Sequence, residues 1–92
     1  MLQMKLVLKG SVQKVGFRYS VVKHIESENL TVRGHVINLP DGSVELIAQG
    51  DIETIKSIHR FATKGPEGAS VREFTEDIQE ISDFTFYDFR MG

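Results

Sequence analysis

The chain has 92 residues, of which 40% are hydrophobic and 26% charged, with a formal net charge of −2. That length suits one domain with one modest core, and the lack of cysteine excludes disulfides, thiolate metal sites and a cysteine nucleophile. The net charge gives no global pull toward nucleic acid or an anionic membrane, no apolar run is long enough to cross a bilayer, and MLQMKLVLKG lacks the apolar core of a signal peptide, so a cytoplasmic protein is expected.

Gln3 to Lys9 alternates and is rich in Leu and Val, which predicts a strand. The loop GSVQKVGFR, residues 10 to 18, follows. From Arg18 to Asn29, Val21, Val22 and Ile25 fall on one helix face, with Leu30 just beyond. Asn29 is the expected stop, because Asn tolerates left-handed backbone at a helix end. Thr31 to Asn38 reads as a second strand. Leu39-Pro40-Asp41-Gly42-Ser43 carries turn chemistry, and Val44 to Gln49 completes a β-hairpin. Asp51 is placed to cap a second helix, whose apolar stripe is Ile52, Ile55, Ile58, Phe61 and Ala62. Lys64-Gly65-Pro66 ends it. Val71 to Ile81 predicts a fourth strand of imperfect alternation, and Phe84 to Arg90 a short, aromatic-rich fifth.

The order is β-α-β-β-α-β with an extra terminal strand. It predicts an α/β (α+β) ferredoxin-like sandwich, an antiparallel sheet with two helices on one face. Residues 1–92 form a single domain in this reading. Fold alone does not assign function.

Charge is unevenly spread. Residues 1 to 35 carry Lys5, Lys9, Lys14, Arg18, Lys23 and Arg33 against Glu26 and Glu28. Residues 71 to 92 carry Glu73, Glu76, Asp77, Glu80, Asp83 and Asp88 against Arg72 and Arg90. A local basic site on an acidic chain suits a small anion better than a long polyanion. Solvated faces of opposite sign are the plainer reading.

The loop sharpens this. The first N–H groups of a helix lack partners within it. Ser, Thr, Asp or Asn usually caps them, yet Lys14, Val15, Gly16 and Phe17 precede this helix. Arg18 in the first turn also opposes the helix dipole, at about 0.3–1 kcal/mol. An anion at this terminus would satisfy the N–H groups and be gripped by Arg18. The alternative is a plain connection with a surface arginine.

Gly10-x-Val12-Gln13-x-Val15-x-Phe17-Arg18 closely resembles the first signature of the acylphosphatase family. Gly34-x-Val36-x-Asn38-x-x-x-Gly42-x-Val44-x-x-x-x-x-Gly50 resembles the second, at matching spacing. The resemblance spans nearly the whole chain. It implies hydrolysis of the carboxyl-phosphate bond of small acyl phosphates, without metal, cofactor or covalent intermediate. It also implies roles. The backbone N–H groups of Val12, Gln13, Lys14, Val15, Gly16 and Phe17, with the Arg18 guanidinium, hold the phosphoryl oxygens. Asn38 orients the attacking water. Read without the resemblance, Asn38 is a turn residue.

Three positions depart from the family pattern. Lys14 stands where glycine is usual. If the backbone there needs positive φ, lysine costs roughly 1 kcal/mol or more. It either hinders the phosphate or adds a charge beside it, and Gly16 is placed to supply some of the freedom. His35 takes a place more often aromatic, and Ile37 one more often polar or basic. A domain that binds anions but turns over little is therefore the alternative function.

Other chemistries find less support. A cysteine-x5-arginine phosphatase spacing counted back from Arg18 reaches Val12, which cannot attack; Ser11 is one residue too far. His24, His35 and His59 have no metal-ligand spacing. An RNA-recognition sheet needs aromatics on its third strand, and Val44 to Gln49 has none. The expected partner is a small molecule, with no nucleic acid or membrane, and the default state is a monomer.

Overall fold

The computed structural model describes residues 1–92. The elements are β1 (Leu2–Ser11), α1 (Phe17–Ser27), β2 (Arg33–Asn38), β3 (Val44–Gly50), α2 (Ile52–Lys64), β4 (Ser70–Glu80) and β5 (Phe89–Met91). They form one five-stranded sheet in the order β4-β1-β3-β2-β5, and both helices pack on the same face. No helix is long and apolar enough to cross a membrane.

The core follows from strand alternation. Met4, Leu6 and Leu8 of β1, Val36 of β2, and Val44, Leu46 and Ala48 of β3 are fully buried on the helix side. Phe17 and Val21 of α1 and Ile55, Ile58 and Ala62 of α2 complete the contact. Truncating a buried residue such as Phe17 costs about 3–5 kcal/mol. Ile52, expected in the α2 stripe, is instead 54% exposed, while Thr54 and Ile55 of the same turn are buried. His24 stacks on Phe61 at 4.3 Å and its Nε2 lies 2.9 Å from Ser57 Oγ, joining the two helices.

The helix ends behave as the sequence implies. Asp51 Oδ1 accepts from Thr54 N at 2.8 Å. The Thr54 backbone N–H, more than its side chain, holds the Asp51 carboxyl below the usual carboxylate range. Asn29 takes φ 52. Leu30 N donates to Ile25 O and Asn29 N to Glu26 O, the two bonds of a Schellman stop.

The sheet departs from expectation in one respect. Four strands are antiparallel, but β5 pairs parallel to β2, so the sheet is mixed rather than antiparallel. The cause is the connection. The chain leaves β4 at one edge, crosses the end of the sheet and returns once along β2. Because β4 runs opposite to β2, that single reversal leaves β5 running as β2 does. Residues 84 to 88 are therefore not strand, and β5 is shorter than the expected Phe84 to Arg90. Buried Gln49 anchors the crossing: its Oε1 accepts from Thr85 N at 2.9 Å and its Nε2 donates to Thr85 Oγ1 and Gln3 Oε1 at 2.7 Å. Arg33 stacks over Phe84 at 4.1 Å. Gly34 N donates to Asp88 O at 2.8 Å. A Cβ at Gly34 would lie 1.8 Å from Ile47 O, so only glycine lets β2 sit between β3 and β5 here.

Strand β4 is an edge, which explains its weak alternation. Phe74 and Ile78 share the helix face but stay 40% and 44% exposed, at the margin of α2, whose His59 meets Phe74 edge-on at 5.7 Å. Two of the four acidic residues of β4 lie across from β1 lysines: Lys5 opposite Asp77 and Lys9 opposite Glu73. Part of the charge asymmetry is thus cross-strand complementarity.

Candidate functional site

Three elements converge at one end of the sheet. The chain leaves β1, forms the 12–16 loop and enters α1. Strand β2 ends at Asn38, and β5 ends beside it. Around their meeting point is a cavity of about 170 Å³, lined by Val12, Lys14, Gly16, Phe17, Arg18, Tyr19, Asn38 and Met91. Of the six basic residues in the first 35, only Lys14 and Arg18 line it. No acidic residue does.

The loop is fastened from below and open above. Val12 and Phe17 are each 1% exposed, and Val15 packs partly against the core. Gly16 sits at the helix N-cap with φ 76 and has no side-chain cap. None of the backbone N–H groups of residues 12–16 donates to a protein acceptor. These donors stand at the positive end of the α1 dipole.

Lys14 has φ 61. Two loop positions, 14 and 16, thus need left-handed backbone, and Gly16 does not relieve Lys14 of that demand. The loop conformation is kept in spite of the lysine.

Gln13 and Val15 do not line the cavity. The Gln13 side chain turns the other way: its Nε2 donates to Leu39 O at 2.8 Å and Ser43 O at 2.9 Å. It thereby ties the loop to the β2–β3 turn, next to Asn38. That turn is itself braced. Leu39 N donates to Ser43 O, and Asp41 Oδ1 accepts from the Ser43 hydroxyl and, at 3.0 Å, from Ser43 N. The Ser43 hydroxyl, then its N–H, holds the Asp41 carboxyl below the usual range.

Arg18 Nη1 donates to Gly92 O, while Gly92 N donates to Val36 O at 3.0 Å. The guanidinium is thus steered toward β5. Tyr19, Met91 and the Gly92 contact were absent from the sequence reading. Met91 and Gly92 depend on the parallel return of β5, which no local pattern signals, whereas Tyr19 follows Arg18 on α1.

The histidines lie apart from this cavity. Besides the His24 contact, His35 Nε2 is 2.8 Å from Glu45 Oε2 and His59 Nε2 is 3.0 Å from Glu76 Oε1. They do not converge.

An end-of-sheet cavity with unpaired N–H groups, two cations and one amide can hold a small oxyanion and a water beside it. Comparison with known proteins points to one family. The family model described as Acylphosphatase matches residues 4–91. An acylphosphatase from Pasteurella multocida is 38% identical over 89 residues, covering 92% of this chain and 97% of the relative. One from Caldivirga maquilingensis is 36% identical over 90 residues, covering 96% and 93%. The crystal structure of the Bacillus subtilis acylphosphatase superposes with a TM-score of 0.85 at 29% identity, covering 100% of this chain and 99% of that one.

Proposed function

The chain belongs to the acylphosphatase family, and from that premise we propose that it hydrolyses acyl phosphates at the cavity between the 12–16 loop, Arg18 and Asn38. The observation that carries this is the meeting of unpaired loop N–H groups, Arg18 and Asn38 around one acid-free cavity.

In this mechanism the phosphoryl oxygens take the N–H groups of residues 12–17 and the Arg18 guanidinium. A water held by the Asn38 amide attacks phosphorus in line. The P–O bond to the acyl group breaks, and its electron pair leaves on a carboxylate. The water proton passes to a phosphoryl oxygen. Products are one carboxylate and one phosphate. A carboxylate is a good leaving group, so positioning and charge stabilisation carry the rate. No separate base is needed, and the reaction uses no metal or cofactor.

The reading extends to residues 1–92 acting as one domain, as a monomer in the cytoplasm, with a small acyl phosphate as partner and no nucleic acid. The cysteine-free composition is compatible with such a compartment.

Asn38→Ala tests the water assignment. It is expected to lower kcat on benzoyl phosphate roughly 10²-fold or more while the Kd for inorganic phosphate, read by calorimetry, stays put. Unchanged kcat would remove Asn38 from the mechanism. Phosphate binding by the parent with negligible turnover would favour the anion-binding alternative.

A further inference from the structure

Lys14 raises a question that the hydrolytic reading leaves open. Its backbone lies at φ 61, a region costly to any residue with a Cβ. The neighbouring left-handed position is glycine, and glycine at 14 would remove the strain. Backbone strain at a ligand-facing loop is a pointer to function when something else supports it.

Three observations do so. Lys14 lines the cavity beside Arg18. Its ammonium is free of any ion pair, as are those of Lys9 and Lys64, whereas Lys5, Lys23 and Lys56 each have a carboxylate, and of the unpaired three only Lys14 lines this cavity. The cavity wall holds two cations and no acid, one cation more than the single arginine that the hydrolytic mechanism uses. The loop N–H groups and Arg18 already answer the phosphoryl charge. A flexible exposed ammonium at the loop tip is placed to meet charge farther out, on the acyl part of the substrate.

We infer that Lys14 is a specificity-determining residue that favours acyl phosphates whose acyl group carries a second negative charge, a carboxylate or a second phosphate, over those with a neutral acyl group. This rests on the acyl-phosphate reading. Lys14 acts through its ammonium, whereas the loop N–H groups act through the backbone, so charge and backbone are separable by substitution.

A matched pair of substrates isolates the charge: benzoyl phosphate and 4-carboxybenzoyl phosphate. Lys14→Gln removes the ammonium but keeps a Cβ at the left-handed position. It should cut the kcat/KM ratio, carboxybenzoyl over benzoyl, by about fivefold, the contribution of one exposed ion pair. Lys14→Arg should keep the ratio within about twofold of the parent. The difference between parent and Lys14→Gln should shrink as added salt rises to roughly 0.5 M. Equal losses on both substrates would mean that Lys14 serves the phosphoryl group, and would overturn the inference. So would an unchanged ratio. If the parent hydrolyses neither substrate, the enzyme reading fails. The same ratio is then read from calorimetric binding of benzylphosphonate and 4-carboxybenzylphosphonate. A fall with Lys14→Gln sustains the inference there, and no change overturns it.

Discussion

Replacing Lys14 by glycine should stabilise the protein. Lysine at φ 61 carries roughly 1–2 kcal/mol of left-handed strain. Glycine removes it but makes the unfolded chain freer, at about 0.4–1 kcal/mol. The difference is a net gain of roughly 0.8 kcal/mol. Lys14 is exposed and unpaired, so little packing is lost. For a domain of this size that gain raises Tm by about 3–6 °C. The mirror case is Gly16→Ala. Gly16 has φ 76, and a Cβ there meets nothing within 4 Å, so its cost is conformational alone and of similar size with opposite sign. Thermal unfolding by circular dichroism reads both. A lower Tm for Lys14→Gly would refute the strain argument, as would a Gly16→Ala variant as stable as the parent.

Gln13→Ala removes the two bonds from the loop to Leu39 O and Ser43 O. It should cost about 1–2 kcal/mol in urea unfolding and lower kcat by loosening Asn38 relative to the loop, and unchanged values of both would sink the tether. Asp51→Ala should lower Tm by roughly 4–8 °C at pH 7 by loss of the cap. The sign with pH follows from the depressed Asp51 pKa. The cap contributes fully above the unfolded value near 3.9 and is lost as pH falls through the folded value. The Tm gap between parent and variant should therefore close below about pH 4; a gap that widens in acid would contradict the assignment.

The repeating parts of the fold were legible because their causes are local. Strands β1 and β3 alternate, Asp51 caps α2, and Asn29 stops α1. Glycines 16 and 34 mark places where backbone geometry admits little else. What stayed hidden depends on distant contacts. The direction of β5 is set by the 81–88 crossing, which buried Gln49 fixes from another strand. The sequence at 84–90 is apolar enough to read as strand, but Phe84 and Phe86 pack against Arg33 and His35 instead of pairing. Motif spacing singles out Arg18, Asn38 and the loop as candidates, and Arg18, Asn38 and loop residues Val12, Lys14 and Gly16 line one cavity. Gln13 had been grouped with the loop, yet its side chain tethers the hairpin. Met91 had no signal, since only the tertiary fold sets it beside Arg18; Tyr19 follows Arg18 in the chain. The charge asymmetry was readable, but part of its cause was cross-strand placement of Lys5 and Lys9, with Lys14 and Arg18 the two basic residues at the cavity.

The most direct test is hydrolysis of benzoyl phosphate by the purified protein in EDTA, beside Arg18→Ala. The account predicts turnover that survives the chelator and falls by roughly 10²-fold or more when the guanidinium is removed, with phosphate affinity lost alongside. Full activity in Arg18→Ala, or activity that vanishes in EDTA and returns with a divalent cation, would contradict it.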